Sequence, residues 1–304
     1  MKDSISLAMP TYNGEHYLRE QLDSIYAQTR IPDEVIVVDD CSTDETVAIL
    51  EEYNKKYGLK YYINDHNLGY NKNFEKAISL CTGDYICLCD QDDIWLPTKI
   101  EKSYNKIKEY PIDEPNLVSS YSSTNINLLS GVTGRRVSGD WKLNFSSHYS
   151  QGCTLMFNKK LKGIVIPFPS DLMYDAYIGL SASMIGNRYY IGEELMYYRI
   201  HSNNAFVKKR DTWIKRFMHE MEKYVPYWFP LQRYQTLLKL KAQYNDLIKE
   251  ERILYINNIL SIYESSPFRR IDKIMRIKEL NAKHKIKIIL GLIVKIVFRI
   301  KDIH

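Results

Sequence analysis

The sequence predicts an α/β fold, a mostly parallel sheet with helices on both faces, followed by a helical extension. Three observations predict it. Short apolar runs alternate with segments of helical periodicity through the first hundred residues. The runs show no polar alternation, as expected of strands covered on both faces. Successive runs also end in polar or acidic clusters, and a doubly wound sheet places its ligand crevice at those carboxyl ends.

Ile5-Ser6-Leu7-Ala8-Met9 is the first strand, closed by Pro10-Thr11-Tyr12-Asn13-Gly14, after which Tyr17, Leu18, Leu22, Ile25 and Tyr26 recur at helical spacing. Val35 to Val38 forms a second strand ending at Asp39-Asp40. Ser42, with Glu45 three residues on, reads as a capping box opening a helix that carries Val47, Ile49, Leu50 and Tyr53. Leu59 to Ile63 is the third strand, Asn67-Leu68-Gly69 a turn, Asn73 to Leu80 the third helix and Tyr85 to Cys89 the fourth strand. Right-handed crossovers would gather Thr11-Tyr12-Asn13, Asp39-Asp40 and Asp90-Gln91-Asp92-Asp93 into one crevice.

Carboxylates as close as those of Asp90, Asp92 and Asp93 repel and raise one another's pKa unless a cation lies between them. Oxygen ligands of this kind suit Mg²⁺ or Mn²⁺. The plainer alternative is a solvated acidic loop in which Asp90 caps a following helix. No G-x-G-x-x-G follows the first strand and no G-x-x-x-x-G-K-[ST] occurs, so neither a dinucleotide fold nor a P-loop has support. Phosphates would then be held through metal.

Pro10 to Gly14, Val38-Asp39-Asp40-Cys41-Ser42-Thr43-Asp44, Asn67-Leu68-Gly69 and Cys89-Asp90-Gln91-Asp92-Asp93-Ile94-Trp95, in this order and spacing, resemble the glycosyltransferase family 2 signature on a GT-A fold. The likeness spans roughly residues 1–210, and its Asp-Gln-Asp-Asp-Ile-Trp wording is similar to bacterial rhamnosyltransferase-like enzymes of surface-polysaccharide assembly. The resemblance implies that Pro10, Thr11, Tyr12, Asn13, Asn67, Gly69, Lys72 and Gln91 line a nucleotide-sugar pocket. Asp40 would accept from the ring N–H of the base, with Asp39 the second candidate. For both, turn chemistry ahead of a helix is the structural alternative. Asp92 would be the direct metal ligand, Asp90 a second ligand nearer the ribose, and Asp93 their support.

Further along, Gln151 to Asn158 reads as a strand entered through Gly152, which either lets backbone approach a ligand or forms a bulge. The resemblance implies that Asp175 is the catalytic base, with Asp171 the alternative, although Ala176-Tyr177 replaces the commoner Trp pair. It also implies that Arg199-x-His201-x-x-Asn204, after an edge strand, closes over the diphosphate. Arg199 would pair with phosphate or with the acidic motif, and His201 would be a further metal ligand.

A 304-residue chain with 45% hydrophobic and 26% charged residues is long enough for a packed core. It divides into a catalytic domain at 1–210 and a basic helical extension at 211–304. Residues 208–304 hold 22 Lys and Arg against 10 Asp and Glu, net +12, whereas residues 1–207 hold 20 against 27, net −7. A basic tail suits an anionic partner, and no nucleic-acid motif accompanies it. From Ile286 to Ile300 only Lys287, Gly291, Lys295 and Arg299 interrupt an apolar surface. That segment is too short and charged to span a bilayer and fits an interfacial helix at the cytoplasmic membrane face. The same apolar face would also serve packing against the catalytic domain or a second copy. Trp213, Phe217, Tyr224, Tyr227, Trp228 and Phe229 read either as a second interfacial patch or as part of a helical subdomain. Five cysteines without metal spacing, and no signal peptide, suit the reducing cytoplasm. Gly131 to Gly139 reads as a mobile loop over an acceptor site.

Taken together, the expectation is an inverting, Mn²⁺- or Mg²⁺-dependent glycosyltransferase. It would move a sugar from a dTDP- or UDP-linked donor to a lipid-linked saccharide. A sugar-phosphate nucleotidyltransferase would instead carry a glycine-rich basic loop after the first strand, and a non-catalytic saccharide-binding protein would need no convergence of Asp90, Asp92 and Asp175.

Overall fold

The computed structural model describes residues 3–124, 151–170, 172–201 and 231–276, with 285 and 289. Asp171, the 131–139 loop, the aromatic segment 213–229 and all but residue 289 of the amphipathic stretch 286–300 lie outside the described residues. The chain divides into two compact units. In the first fall the described residues of 3–124, 151–182 and 186–201, and in the second 183–185 and 231–276.

In chain order the first unit begins with β1 (Ile5–Thr11), α1 (Leu18–Tyr26), β2 (Glu34–Asp39), α2 (Thr46–Tyr57), β3 (Lys60–Ile63), α3 (Tyr70–Leu80) and β4 (Tyr85–Leu88). It continues with β5 (Ile94–Trp95), α4 (Lys99–Ile107), β6 (Asn116–Ser123), β7 (Leu155–Asn158), α5 (Lys159–Val165), α6 (Tyr174–Ile185, its last turn in the second unit) and β8 (Asn187–Tyr197). The second unit contains α7 (Leu231–Tyr244), α8 (Glu250–Tyr263) and α9 (Pro267–Arg276). Leu237, Leu240, Tyr255, Ile256, Ile259 and Ile274 are buried in it.

The sheet runs β3-β2-β1-β4-β7-β6-β8-β5. Its first four strands are parallel, with Leu7 opposite both Val35 and Cys87. Leu7, Ala8 and Met9 are all fully buried, so consecutive side chains on opposite faces are covered, as the unalternating run demands. Leu18, Leu22 and Ile25 form the buried stripe of α1, each worth about 1.5–3 kcal/mol of burial. The other half of the sheet is mixed, because β7 is antiparallel to β4 and β6, and β5 to β8. β8 lies between β6 and β5, so the strand before Arg199 is internal and not the expected edge.

The capping box does not form either. α2 starts at Thr46, and the Ser42 hydroxyl turns back to donate to Asp39 Oδ1 at 2.6 Å. Asp44 Oδ1 accepts Thr46 N–H at 3.0 Å and Glu15 accepts Glu45 N–H at 3.0 Å, so the orphan amides of the helix start are met by other carboxylates. Asp90 caps no helix, since β5 follows its loop. Gln28 fixes the downstream end of that loop, donating to Leu96 O at 2.8 Å and accepting from Ile100 N at 3.1 Å.

Candidate active site

Parallel β1, β2 and β4 end together, and their loops line the crevice. At the β2 end, Asp39 is wholly buried. Its carboxylate accepts from Thr11 Oγ1 at 2.9 Å, Ser42 N at 2.8 Å and Ser42 Oγ at 2.6 Å. Asp40, 2% exposed, accepts from Asn64 Nδ2 at 2.7 Å, Leu68 N at 2.8 Å and Gly69 N at 2.9 Å. Both carboxylates thus spend most of their accepting capacity on the protein. They clamp the β1 loop, the β2 turn and the 67–69 turn into one piece.

The predicted pocket residues separate accordingly. Thr11 is buried with its hydroxyl committed to Asp39, and Asn67 bonds Asp40 O and Gly69 N–H, so these two build the walls. Gly69, at φ 76°, takes a left-handed conformation at the start of α3 that a side chain would resist. Tyr12 is half exposed beside half-buried Pro10, and Asn13, at φ 46°, accepts from Thr43 N at 2.8 Å. Gln91 holds Tyr12 in the manner of a strand neighbour, accepting from its N–H at 2.9 Å and donating to its carbonyl at 3.0 Å. A Cβ at Gly14 would run into the Gln91 amide, so a larger residue there would push that amide off Tyr12. Lys72 is directed elsewhere, since Glu75 one turn on the same helix holds its ammonium at 2.9 Å.

The β4 end is differently furnished. Asp92 Oδ2 lies 2.8 Å from His201 Nε2, both side chains largely covered, and the His201 ring packs on Tyr17 with centroids 4.4 Å apart. Arg199 stands beside them, donating Nε–H to the Asp92 carbonyl at 3.0 Å and its backbone N–H to Asp93 Oδ1 at 3.2 Å. Its guanidinium pairs with Glu20 of α1 and lies 4.8 Å from the Tyr17 ring. Arg199 therefore braces the loop through Glu20, the Asp92 carbonyl and, by its own backbone N–H, the Asp93 carboxylate. Half-buried Asp90 is pushed up to about 7 by burial and then by the Asp92 charge, and burial followed by Asp90 raises Asp93 well above the carboxylate range.

Asp175 sits in the first turn of α6, 8% exposed, its carboxylate accepting from Ala176 N at 2.7 Å. Its charge adds to the upward push on Asp90, after burial and the Asp92 charge. α6 is anchored there by α3. Asn71 accepts from Tyr174 N at 2.7 Å and donates to Leu172 O at 3.2 Å, and Tyr174 stacks on Phe74 at 3.9 Å. Gly152 is explained by that ring, because a Cβ would run into the Tyr174 hydroxyl. A protein side chain, and neither a ligand nor a bulge, makes the close approach, inside a short 3₁₀ turn over Gly152–Thr154.

Three residues at this end escaped the sequence reading: Tyr174, Cys153 and Lys99. Lys99 is 3% exposed, with its ammonium 4.5 Å from the Trp95 ring centroid, and its charge reaches Cys153, Cys87, Cys89 and Asp93. Its signal was present, since Lys99 shares a buried helical stripe with Ile100, Ser103 and Ile107. Cys87 and Cys89 are buried, as the β4 pattern predicts. A cavity at the opposite, amino-terminal ends of β1 and β2 offers less chemistry. Its Glu34 is already satisfied by Ser6, Lys60 and Thr82.

Of the expected metal ligands Asp92, His201 and Asp90, the first two meet at 2.8 Å, whereas the group of three ligand atoms lying within 4.8 Å of one another among the described residues is Asp90, Asp93 and Cys153. Among solved structures, the chain superposes on Staphylococcus aureus TarS 1-349 in complex with UDP-GlcNAc at TM-score 0.59 and 20% identity, covering 95% of this chain and 79% of that one. It superposes on the mannosyltransferase PcManGT from Pyrobaculum calidifontis, in complex with GDP-Man and Mn²⁺, at TM-score 0.55 and 15% identity, covering 99% and 89%. These likenesses establish the GT-A glycosyltransferase fold. In sequence the chain is 37% identical over 135 residues to the dTDP-rhamnosyl transferase RfbG of Shigella flexneri, covering 38% of this chain and 46% of the relative. It is 30% identical over 227 residues to the poly(ribitol-phosphate) beta-N-acetylglucosaminyltransferase TarS of S. aureus, covering 68% and 38%. The chain spans about a third of the length of the first curated relatives it matches, 32% for a Mycobacterium tuberculosis protein. The family model for glycosyl transferase family 2 matches residues 6–163, just over half of the chain and the run of strands from β1 to β7, so this protein belongs to glycosyl transferase family 2.

Proposed function

We propose that residues 1–210 form the catalytic domain of an inverting, metal-dependent glycosyltransferase of surface-polysaccharide assembly, and that 211–304 are its basic helical extension. The observation that supports this reading is the Asp92–His201 pair at 2.8 Å beside Asp90, whose carboxyl feels the charges of both Asp92 and Asp175. A nucleotide-diphosphate sugar would lie over the half-exposed Tyr12, with its base toward Asp40, where Oδ2 takes only one donor, and its ribose toward Asp90. Asp39, fully enclosed, would act only through the turn it holds. Asp92, His201 and Asp90 would hold Mn²⁺ or Mg²⁺, which when bound offsets the charge of the departing diphosphate.

Asp175 then takes the proton of an acceptor hydroxyl, whose oxygen attacks the anomeric carbon from the face opposite the diphosphate, so configuration inverts. The Arg199–Glu20 brace keeps the His201 loop against α1 while this happens. The relative RfbG is a dTDP-rhamnosyl transferase, which favours a dTDP- or UDP-linked donor here. The acceptor we favour is a lipid-linked saccharide reached from the cytoplasmic membrane surface, supported by the net charge of +12 in residues 208–304 and the apolar stretch 286–300. No helix among the described residues is long and apolar enough to cross a membrane. Assay of dTDP-rhamnose, UDP-glucose and UDP-galactose with Mn²⁺ tests the reading. Turnover of one donor, abolished by chelator, with inverted product configuration, supports it. Retained configuration or chelator-resistant transfer overturns it.

A further inference from the structure

We propose that Asp90, Asp93 and Cys153 form a second cation site, one that takes a thiophilic divalent ion of the Zn²⁺ or Cd²⁺ class. It is separate from the Asp92–His201 position and competes with it through Asp90. Three observations carry this. One ligand atom from each of the three residues lies within 4.8 Å of the other two. Asp93 is completely buried, and while its Oδ1 accepts the Arg199 N–H, its Oδ2 has no partner although burial makes an unpaired carboxylate oxygen costly. Cys153 is likewise buried, and the 3₁₀ turn that carries it is pinned by Thr154, which bonds Gln151 O through both N–H and hydroxyl.

The ligand chemistry separates this position from the catalytic one. Mn²⁺ and Mg²⁺ favour oxygen and imidazole, whereas one thiolate with two carboxylates and a water makes a four-coordinate set for Zn²⁺ or Cd²⁺. Metal–sulfur near 2.3 Å and metal–oxygen near 2.0–2.2 Å put tetrahedral ligand atoms about 3.4–3.6 Å apart, so ligands now within 4.8 Å of one another would draw together by up to about 1 Å on binding. Half-buried Asp90 is the entry from the crevice. As the sulfur–metal bond forms, the Cys153 thiol proton passes to solvent water. Burial, and then the Asp93 and Asp90 charges, push the Cys153 thiol well above its ordinary range, and the nearby Lys99 ammonium offsets part of this.

Titration of the full-length, reduced, metal-free protein with Cd²⁺ alone, followed by thiolate-to-cadmium charge-transfer absorbance, tests the site. One equivalent should bind in wild type, the band should vanish in Cys153→Ser, and half-saturation should rise at least tenfold in Asp93→Asn and with excess Mn²⁺. Absence of the band in wild type overturns the proposal, as does its survival in Cys153→Ser. Should Cys153→Ser fail to fold, unchanged Cd²⁺ affinity in Asp93→Asn overturns it equally. Because the readout is ligation, the result stands or falls independently of any glycosyl transfer.

Discussion

Two acidic clusters stand at neighbouring strand ends, and they are built on opposite principles. At β2, Asp39 and Asp40 are buried and each accepts three hydrogen bonds from the protein. At β4, Asp93 leaves an oxygen without a partner, Asp92 leans on the His201 ring, and Asp90 is pushed up to about 7. The first cluster uses its charge to hold loops in register and stabilises the fold. The second keeps like charges together at a cost in stability, which is how a site built to bind a cation differs from a structural one.

Removal of the proton acceptor on the crevice side should have the largest effect. Asp175→Asn is expected to lower kcat by about 10²–10⁴-fold while leaving donor and Mn²⁺ affinity within a few-fold, because an amide keeps the shape and cannot take the proton. Steady-state kinetics with calorimetric donor binding measures both. A parallel fall in affinity would assign Asp175 to the binding site and move the base elsewhere.

Asp92→Asn comes next. Loss of one charged ligand should weaken Mn²⁺ binding by at least about 10- to 100-fold. The same variant should raise the melting temperature of the metal-free protein, since a repelling charge is removed. A lower melting temperature without metal would mean that the β4 cluster is structural like its neighbour, and the contrast would collapse.

Asp40→Asn should do the reverse. With three donors facing it, and the Leu68 and Gly69 amides fixed by the turn, the amide leaves one donor unmet and costs about 1–3 kcal/mol in urea unfolding. Weaker nucleotide binding should accompany the loss through the displaced turn. Unchanged stability would show that Asp40's bonds are incidental.

The sequence made both clusters visible and could not tell them apart. Strand ends were legible because burial on both faces suppresses alternation in β1, β2 and β4, and His201 and Asp175 were placed through family wording. What decides an acidic residue's role is its donors, and these arrive from far along the chain. Asp40 meets Leu68 and Gly69, Arg199 meets Glu20, and Cys153 approaches Asp90 and Asp93 only after β7 pairs with β4. Gly152 could not be interpreted from its neighbours because its reason, the Tyr174 ring, comes from α6. The capping box failed for the same cause, since Ser42 found Asp39 a better partner than the helix start. In the mixed half of the sheet β7 and the strand before Arg199 were legible but β6 was not, and the antiparallel direction of β7 follows from pairings far along the chain.

The smallest effect, and the one most specific to the contrast, is the pH dependence of the metal-free protein. Folded Asp90 keeps its proton to about 7, raised by burial first and by the Asp92 charge second. The unfolded chain releases it near 4. Between about 4 and about 7 the folded state therefore binds more protons than the unfolded state, and stability must fall as pH rises through that window. Partial exposure discounts the loss to about 1–2 kcal/mol. Urea unfolding at pH 5 and pH 7.5 should show it in wild type, and Asp90→Asn should remove that component. Saturating Mn²⁺ should remove it as well, because a bound cation favours the ionised carboxylate. If Asp90→Asn left the slope unchanged, the charge strain would reside in Asp92 or Asp93, and the β4 cluster would still differ from the β2 pair but through another residue.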